Sequence, residues 1–121
     1  HDCDKNAVIK GSRPMLEELV TNLANNAISY NRAGGYVKIA VKKEEQSVVL
    51  TVKDNGIGIP EKHRERVFER FYRVDKSRSK RSGGTGLGLA IVKHIAASHN
   101  AQISLDSEEG KGTEIKVIFY L

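Results

Sequence analysis

Two asparagines and a serine recur at helical spacing in a segment that predicts an α-helix. Residues 14–30 place apolar side chains, Ile28 among them, three and four apart, and Asn22, Asn26 and Ser29 form a polar stripe at the edge of that apolar face. Asparagine forms helices poorly, so two amides four residues apart carry a cost that a purely structural helix need not bear. Amide oxygens suit a hard cation such as magnesium, which relies on waters and bound phosphates for its other ligands. The alternative is a polar flank with no role.

A second group of residues ends an apolar run. The stretch DNGIGIP, residues 54–60, follows the strand-like residues 47–53. Asp54 can accept a hydrogen bond from an amino group, while Gly56 and Gly58 permit positive φ angles and let the backbone approach a flat ligand. Taken alone, the stretch is also compatible with an ordinary turn.

A third group stands where another helix begins. The stretch GGTGLGLAIV, residues 83–92, carries four glycines, so unpaired backbone N–H groups and the helix dipole can face an anion. It lacks the Gly-Lys-Ser/Thr of a Walker loop, and Leu89 occupies the place where the dinucleotide fingerprint needs glycine. The pattern indicates phosphate without specifying which phosphate compound.

The distribution of charge points to an anionic and local ligand. The net charge is +5, and residues 61–82 hold nine of the 20 Lys and Arg but four of the 15 Asp and Glu, so this segment carries the whole excess. A nucleic-acid-binding protein more often spreads its basic residues along one face and interleaves aromatics. No nucleic acid is therefore expected. The single cysteine, Cys3, excludes an internal disulfide and a multi-cysteine metal site, and the four histidines have no ligand-like spacing.

The elements that position these residues follow from hydrophobic periodicity. With 121 residues and 39% hydrophobic side chains, the chain predicts one domain, residues 1–121, and it has no segment long and apolar enough for membrane insertion. The patterns predict a strand at 7–10, the helix at 14–30, a hairpin of 36–42 and 47–53, a loop with a short helix, a basic loop at 73–85, a helix at 86–99 that ends at Asn100, and a final hairpin of 101–107 and 113–121. Phe68 and Phe71 are expected in the core. The order predicts helices packed on one face of a mostly antiparallel sheet.

Taken in order, these motifs resemble the catalytic ATP-binding domain of bacterial two-component sensor histidine kinases. Residues 18–31 look like the N box, 54–60 the first glycine box, 68–73 the F box, 83–94 the second glycine box and 110–117 the final one. The resemblance covers nearly the whole chain. It implies the Bergerat-type ATP-binding fold shared with gyrase, heat-shock chaperones and mismatch-repair ATPases: an α+β two-layer sandwich, with about three helices on one face of a mixed, mostly antiparallel sheet.

The resemblance also implies roles for particular residues toward ATP and magnesium. Asn26, with Asn22, would hold magnesium, and Asp54 would accept the adenine amino group beside Gly56 and Gly58. The adenine pocket would be walled by Tyr30, Ile59, Leu89 and Thr113, and the phosphates would be flanked by Gly84, Thr85, Gly86, Leu87 and Gly88 under a mobile lid, with Arg73 at the terminal phosphate.

Two positions distinguish activities within the superfamily. ATP-hydrolysing members carry a glutamate four residues before the magnesium asparagine, and Asn22 stands there instead, which favours transfer to a protein side chain over hydrolysis. Many histidine kinases carry Lys or Arg three residues after that asparagine, where this chain has Ser29. That departure supports the alternative of a degenerate nucleotide-binding switch module. A gyrase-type ATPase is a third and weaker alternative.

The expected function is transfer of the γ-phosphoryl group of Mg-ATP to a histidine on a separate dimerisation domain of the same kinase. The family's acceptor histidine is followed directly by an acid, with a proline further on, and none of the four histidines fits that pattern. We therefore expect the dimerisation and acceptor domain to lie outside residues 1–121. The expected partners are that domain and, downstream, a response regulator. The expected location is the cytoplasmic part of a membrane-bound sensor kinase.

Overall fold

The computed structural model describes residues 2–3, 13–31, 34–69 and 88–120. In chain order the elements are β1 (Asp2–Cys3), α1 (Arg13–Ser29), β2 (Val37–Lys43), β3 (Ser47–Asp54), a 3₁₀ helix (Glu61–His63), α2 (Gly88–Ser98), β4 (Gln102–Glu108) and β5 (Gly112–Tyr120). The five strands form one sheet in the order β1-β2-β3-β5-β4. Only the β1–β2 pair is parallel, so the prediction of a mixed, mostly antiparallel sheet is confirmed.

Both predicted hairpins are present. β2 pairs with β3 and β4 with β5, each antiparallel, and the alternating apolar residues of these strands give each hairpin one face that packs on the core. Asp2–Cys3 supplies the first strand, whereas the strand predicted at 7–10 lies outside the described residues. Two α-helices and the short 3₁₀ helix are described, which is slightly fewer full helices than the three expected.

Helix α1 follows the predicted pattern closely. It spans 13–29 against the predicted 14–30, with Pro14 in its first turn, where a missing N–H costs nothing. Leu19, Leu23 and Ala27 are buried. The expectation that Ile28 joins this face is wrong, since its side chain is 64% exposed. At 100° per residue, Ile28 lies about 140° from the centre of the buried stripe.

Helix α2 packs against α1 and ends in a Schellman motif. Its buried residues are Leu89, Val92, Ile95 and Ala96, as the spacing predicts. Asn100 takes a positive φ of 54°, while the N–H of Ala101 donates to Ala96 O at 2.8 Å and that of Asn100 to Ala97 O at 3.2 Å. The predicted helix-ending role of Asn100 is confirmed.

The register of the sheet aligns residues into rows on the face that the helices cover. Two of these rows are apolar across four strands: Ile39, Val52, Ile115 and Leu105, and Val41, Leu50, Val117 and Ile103. The row at one end differs: Val37, Asp54, Thr113 and Ser107 are direct neighbours across the four strands. Three polar side chains are thereby placed side by side at the edge of the core. None of the described helices is long and apolar enough to cross a membrane.

Candidate functional site

The polar row forms one side of a site that we call the strand end, made of Asp54, Thr113, Ser107 and the loop 55–59. Asp54 is 6% exposed, and Ser107 and Thr113 are also buried. Buried polar side chains are retained at little cost only when they are hydrogen-bonded. The described residues include no buried side-chain nitrogen or oxygen without a partner. The strand end is therefore a connected polar structure within the core.

Asp54 is a carboxylate held in place by backbone N–H groups. Its Oδ1 accepts a hydrogen bond from the Gly56 N–H at 2.8 Å. Burial raises the pKa of Asp54 above its ordinary value, because desolvation disfavours the charged form, while hydrogen bonds from the backbone of Gly56 and Thr113 offset part of that rise. A ligand that donates a hydrogen bond to the carboxylate would offset some of the free energy lost by desolvation.

The glycines of the loop are required by contacts with the protein itself. A Cβ on Gly56 would overlap the carbonyl oxygen of Tyr30, at the end of α1, and would lie 2.9 Å from Asp54 Oδ1. A Cβ on Gly58, whose φ is +73°, would overlap the carbonyl oxygen of Glu108. The Ile57 N–H donates to Tyr30 O at 3.1 Å, so the loop is fixed between the helix and the β4–β5 hairpin. This close packing fixes the position of the Asp54 carboxylate.

The four residues predicted to wall the base come from the loop, both helical regions and β5. Ile59 and Leu89 are buried in the core cluster, while Tyr30 is half-buried directly after α1. Thr113 is the cross-strand neighbour of Asp54. All four therefore lie in the described structure.

A second group of predicted site residues, which we call the helix end, consists of Asn22, Asn26 and Gly88. Asn22 Nδ2 donates to Glu18 O at 2.9 Å, which leaves its Oδ1 available. A Cβ built on Gly88 would lie 3.4 Å from that oxygen, so the Asn22 amide oxygen faces the start of α2. Asn26 lies one turn further along α1 and is half-buried. Within the described part of the chain its side-chain amide has no hydrogen-bond partner.

Several predicted site residues lie outside the described residues, in the segment 70–87. They are Arg73, Gly84, Thr85, Gly86 and Leu87. Phe71 lies in the same segment, whereas Phe68 is partly buried against the core, as predicted.

Comparison with known proteins identifies the family. Residues 11–121 match the family model described as histidine kinase-, DNA gyrase B-, and HSP90-like ATPase. The chain belongs to this ATPase family. Among curated proteins, it is 46% identical over 114 residues to the sensor histidine kinase WalK of Bacillus subtilis, covering 93% of this chain and 19% of WalK. It thus spans about a fifth of that relative's length.

Two solved structures of histidine kinases share the fold of this ATPase-family domain. The mycobacterial sensor histidine kinase MprB superposes with a TM-score of 0.79 at 30% identity, covering 93% of this chain and 76% of that one. Full-length ShkA, crystallised in complex with AMPPNP, gives a TM-score of 0.74 at 29% identity, covering 87% of this chain and 21% of that one. These neighbours agree with the α+β sandwich described above.

The side chains at the helix end of the ATPase-family domain fit a magnesium site. Mg²⁺ takes oxygen ligands and usually keeps several waters. Asn22 Oδ1 is a neutral oxygen beside the first turn of α2, where backbone N–H groups favour phosphate. The amide of Asn26, one turn along α1 and without a partner among the described residues, offers a second neutral oxygen. The donor set is therefore that of a site completed by a phosphate-bearing ligand.

Sequence reasoning missed Ser107. It occupies a position in β4 where alternation predicts an inward side chain, opposite Thr113, and its hydroxyl is buried in a network with Ile59 and Gly112. A polar residue at an inward position beside the final glycine box was the available signal.

Proposed function

We propose that residues 1–121 are the catalytic domain of a sensor histidine kinase that binds Mg-ATP and transfers its γ-phosphoryl group to a histidine on the dimerisation domain of the same kinase. The observation that carries the proposal is the pairing, in one family member, of a buried carboxylate at the strand end with two amide side chains one turn apart on α1, of which Asn22 faces the start of α2. One end suits a base with an amino group, and the other suits a metal-bound phosphate.

At the strand end, the role we assign to Asp54 is acceptance of a hydrogen bond from the adenine amino group. Its Oδ1 is bound to the Gly56 N–H, so the carboxylate cannot rotate away without losing that bond. Ile59, Leu89 and Tyr30 would bound the flat faces of the base and exclude water. The complex of ShkA with AMPPNP supports ATP as the nucleotide.

At the helix end, the role we assign to Asn22 and Asn26 is to hold magnesium through their amide oxygens. The metal would neutralise charge on the phosphates when bound. The first N–H groups of α2 orient the phosphate chain, and Arg73 would contact the terminal phosphate. Phosphoryl transfer asks mainly for such positioning and charge stabilisation.

Transfer is favoured over hydrolysis because Asn22 cannot act as a general base. An amide has no accessible basic form at neutral pH, and its Nδ2 is already committed to Glu18 O. Water in the site would therefore not be deprotonated from this position. The partners proposed are the dimerisation domain with its acceptor histidine and, downstream, a response regulator, in the cytoplasm beneath a membrane-bound sensor.

The experiment measures label transfer from γ-labelled ATP to an added dimerisation domain. We expect the wild-type chain to label the acceptor but barely itself, and Asn26→Ala to reduce the transfer rate by about 100-fold or more, because catalysis here depends on positioning. Asn25→Ala is the matched control, since Asn25 is the exposed neighbour on α1 and should transfer like wild type.

Three outcomes would contradict the proposal. Strong self-labelling of the chain would place the acceptor within it. Nucleotide binding without transfer to any dimerisation domain would favour the degenerate switch module suggested by Ser29. Steady hydrolysis without an acceptor would favour a gyrase-type ATPase.

A further inference from the structure

We propose that Ser107 is a positioning residue that sets the purine selectivity of the nucleotide site by holding the Thr113 hydroxyl as a hydrogen-bond acceptor toward the base. This inference rests on the proposed function, because it needs a purine beside Asp54. The motifs that define the site do not include Ser107, and its place in β4 is one strand beyond the residues proposed to meet the base.

Ser107 Oγ joins three separate segments. It accepts a hydrogen bond from the Ile59 N–H at 2.8 Å, approaches Gly112 O at 2.9 Å and lies 2.8 Å from Thr113 Oγ1. These contacts tie the loop after β3 to the β4–β5 hairpin. All three lie in a buried region, where an unmatched polar atom is costly.

The number of protons in this network determines the direction of each bond. A serine hydroxyl has one proton and two lone pairs. Gly112 O can only accept, so the Ser107 proton must go to it; otherwise two acceptor oxygens would face each other at 2.9 Å. Ser107 then accepts from the Ile59 N–H with one lone pair and from Thr113 with the other. The Thr113 hydroxyl proton is therefore committed to Ser107.

A Thr113 hydroxyl whose proton is committed offers only lone pairs to a ligand. Thr113 is the direct cross-strand neighbour of Asp54 on the covered face of the sheet, and paired Cβ atoms lie about 5 Å apart. The strand end thus presents two acceptors, a carboxylate and a hydroxyl oxygen. A 6-amino purine donates to such a pair, directly or through a water. A 6-oxo purine would instead place its own acceptor oxygen against these two acceptors, with no proton between them.

The role of Ser107 is thus indirect, through Thr113. In a variant that lacks the Ser107 hydroxyl, the Thr113 hydroxyl would be free to turn its proton toward the cleft and donate to a 6-oxo group. The predicted consequence is a change in the ratio of affinities between the two purine classes, which a general loosening of the fold would not produce.

The test compares dissociation constants for Mg-ATP and Mg-inosine triphosphate, which differs by carrying a 6-oxo group, in wild type and Ser107→Ala. We expect the preference for ATP to fall about tenfold, the size of one hydrogen bond gained or lost. Thr113→Val should lower the preference similarly, and Ser107→Ala added to it should change the ratio no further. Ser107→Thr retains the hydroxyl and should keep the wild-type ratio.

Two outcomes would overturn the inference while leaving the proposed function intact. One is an equal loss of affinity for both nucleotides in Ser107→Ala, which indicates a structural role alone. The other is a further fall in the ratio when Ser107→Ala is added to Thr113→Val, which means that Ser107 acts without Thr113. A wild-type chain that binds neither nucleotide would instead refute the proposed function, and this inference with it.

A measurement on the wild type covers the case in which Ser107→Ala fails to fold. In the ATP-bound domain, the Thr113 hydroxyl proton should give a nuclear Overhauser contact to the β protons of Ser107. A contact from that proton to the bound purine instead would overturn the proposal.

Discussion

The strand end and the helix end, which we propose to bind the same ligand, differ in whether their polar side chains are already hydrogen-bonded. At the strand end the polar groups are bonded to one another: Asp54 to Gly56, Ser107 to Ile59 and Gly112, and Thr113 to Ser107. At the helix end, Asn22 keeps an oxygen available and the Asn26 amide has no partner within the described residues. The first is assembled before a ligand arrives, and the second needs the ligand to complete it.

We infer from this difference that base selectivity resides at the strand end and metal-dependent catalysis at the helix end. Preorganised acceptors discriminate between bases, because a wrong base leaves buried groups unpaired. Amide oxygens that have no hydrogen-bond partner can coordinate a metal ion, and that metal can bind the phosphates as well. Variants at the strand end should therefore alter folding and base selectivity together, whereas those at the helix end should alter metal dependence alone.

The largest effect is expected from Gly112→Ala, which tests how tightly the strand end is built. Gly112 has a φ of +130°, and an added Cβ would overlap the backbone oxygen of Asp54 and lie 2.9 Å from Asn55 Cα. We expect a loss of about 3 kcal/mol or more in the free energy of unfolding, from backbone strain and overpacking combined. Denaturant titration measures it.

Gly110→Ala in the same turn is the control for that prediction. Its φ is +84°, but nothing lies within 4 Å of an added Cβ. Conformational strain alone should cost about 1 kcal/mol. Equal losses in the two variants would mean that the contact with Asp54 does not constrain the hairpin.

Asp54→Asn separates binding from stability at the strand end. If the oxygen of the new asparagine keeps the hydrogen bond from the Gly56 N–H, its NH₂ group points toward the adenine amino group. Two hydrogen-bond donors would then face each other. We expect Mg-ATP affinity to fall about 100-fold, the upper range for a hydrogen bond to a charged group. The free energy of unfolding of the nucleotide-free protein should rise, because burying an amide costs less than burying a carboxylate. A less stable variant that still binds would contradict both expectations.

Asn26→Ala tests the helix end with a smaller effect. Loss of one amide oxygen from the proposed magnesium site should weaken Mg-ATP binding about tenfold, within the range seen when a hydrogen-bonding group is removed. Binding of metal-free ATP, measured with a chelator present, should hardly change. Asn25→Ala should leave both affinities as in wild type. An equal loss with and without magnesium would indicate that Asn26 contacts the nucleotide or the fold instead.

The smallest effect is the pH dependence contributed by Asp54. Its pKa in the folded protein is raised above the ordinary 3.8, so the folded state retains a proton that the unfolded chain releases. Its favourable contribution is complete below pH 3.8 and is lost as the pH rises through the raised pKa. The unfolding free energy of wild type minus that of Asp54→Asn should therefore fall with rising pH and then level off. A difference that rises with pH would refute the desolvation of this carboxylate.

Much of the fold could be predicted because its strongest signals are local. Helix α1 and both hairpins follow from periodicity within single segments. The strand at Asp2–Cys3 could not be found that way, because two residues carry no pattern and their pairing depends on β2. Ile28 was misassigned because the predicted apolar stripe was drawn wider than the buried one.

Sequence motifs named candidate site residues but could not give the connections between them. The N box and glycine boxes pointed to Asn22, Asn26 and Asp54, and their roles toward a ligand stay predictions. The role of Ser107 depends on which residue of β4 pairs with Thr113, and the need for Gly112 depends on its contact with Asp54. The strand register and the contact between Gly112 and Asp54 both depend on residues far apart in the sequence, so no local pattern predicts them.

The polar row has a consequence for how the domain folds. A shift of β5 by one residue against β3 would replace Thr113 with a neighbour and turn the inward side chains of that strand to solvent. Such a misaligned sheet would lack the base-recognition acceptors and would not hold ATP. Nucleotide present during refolding should therefore enrich the correctly aligned chains by mass action.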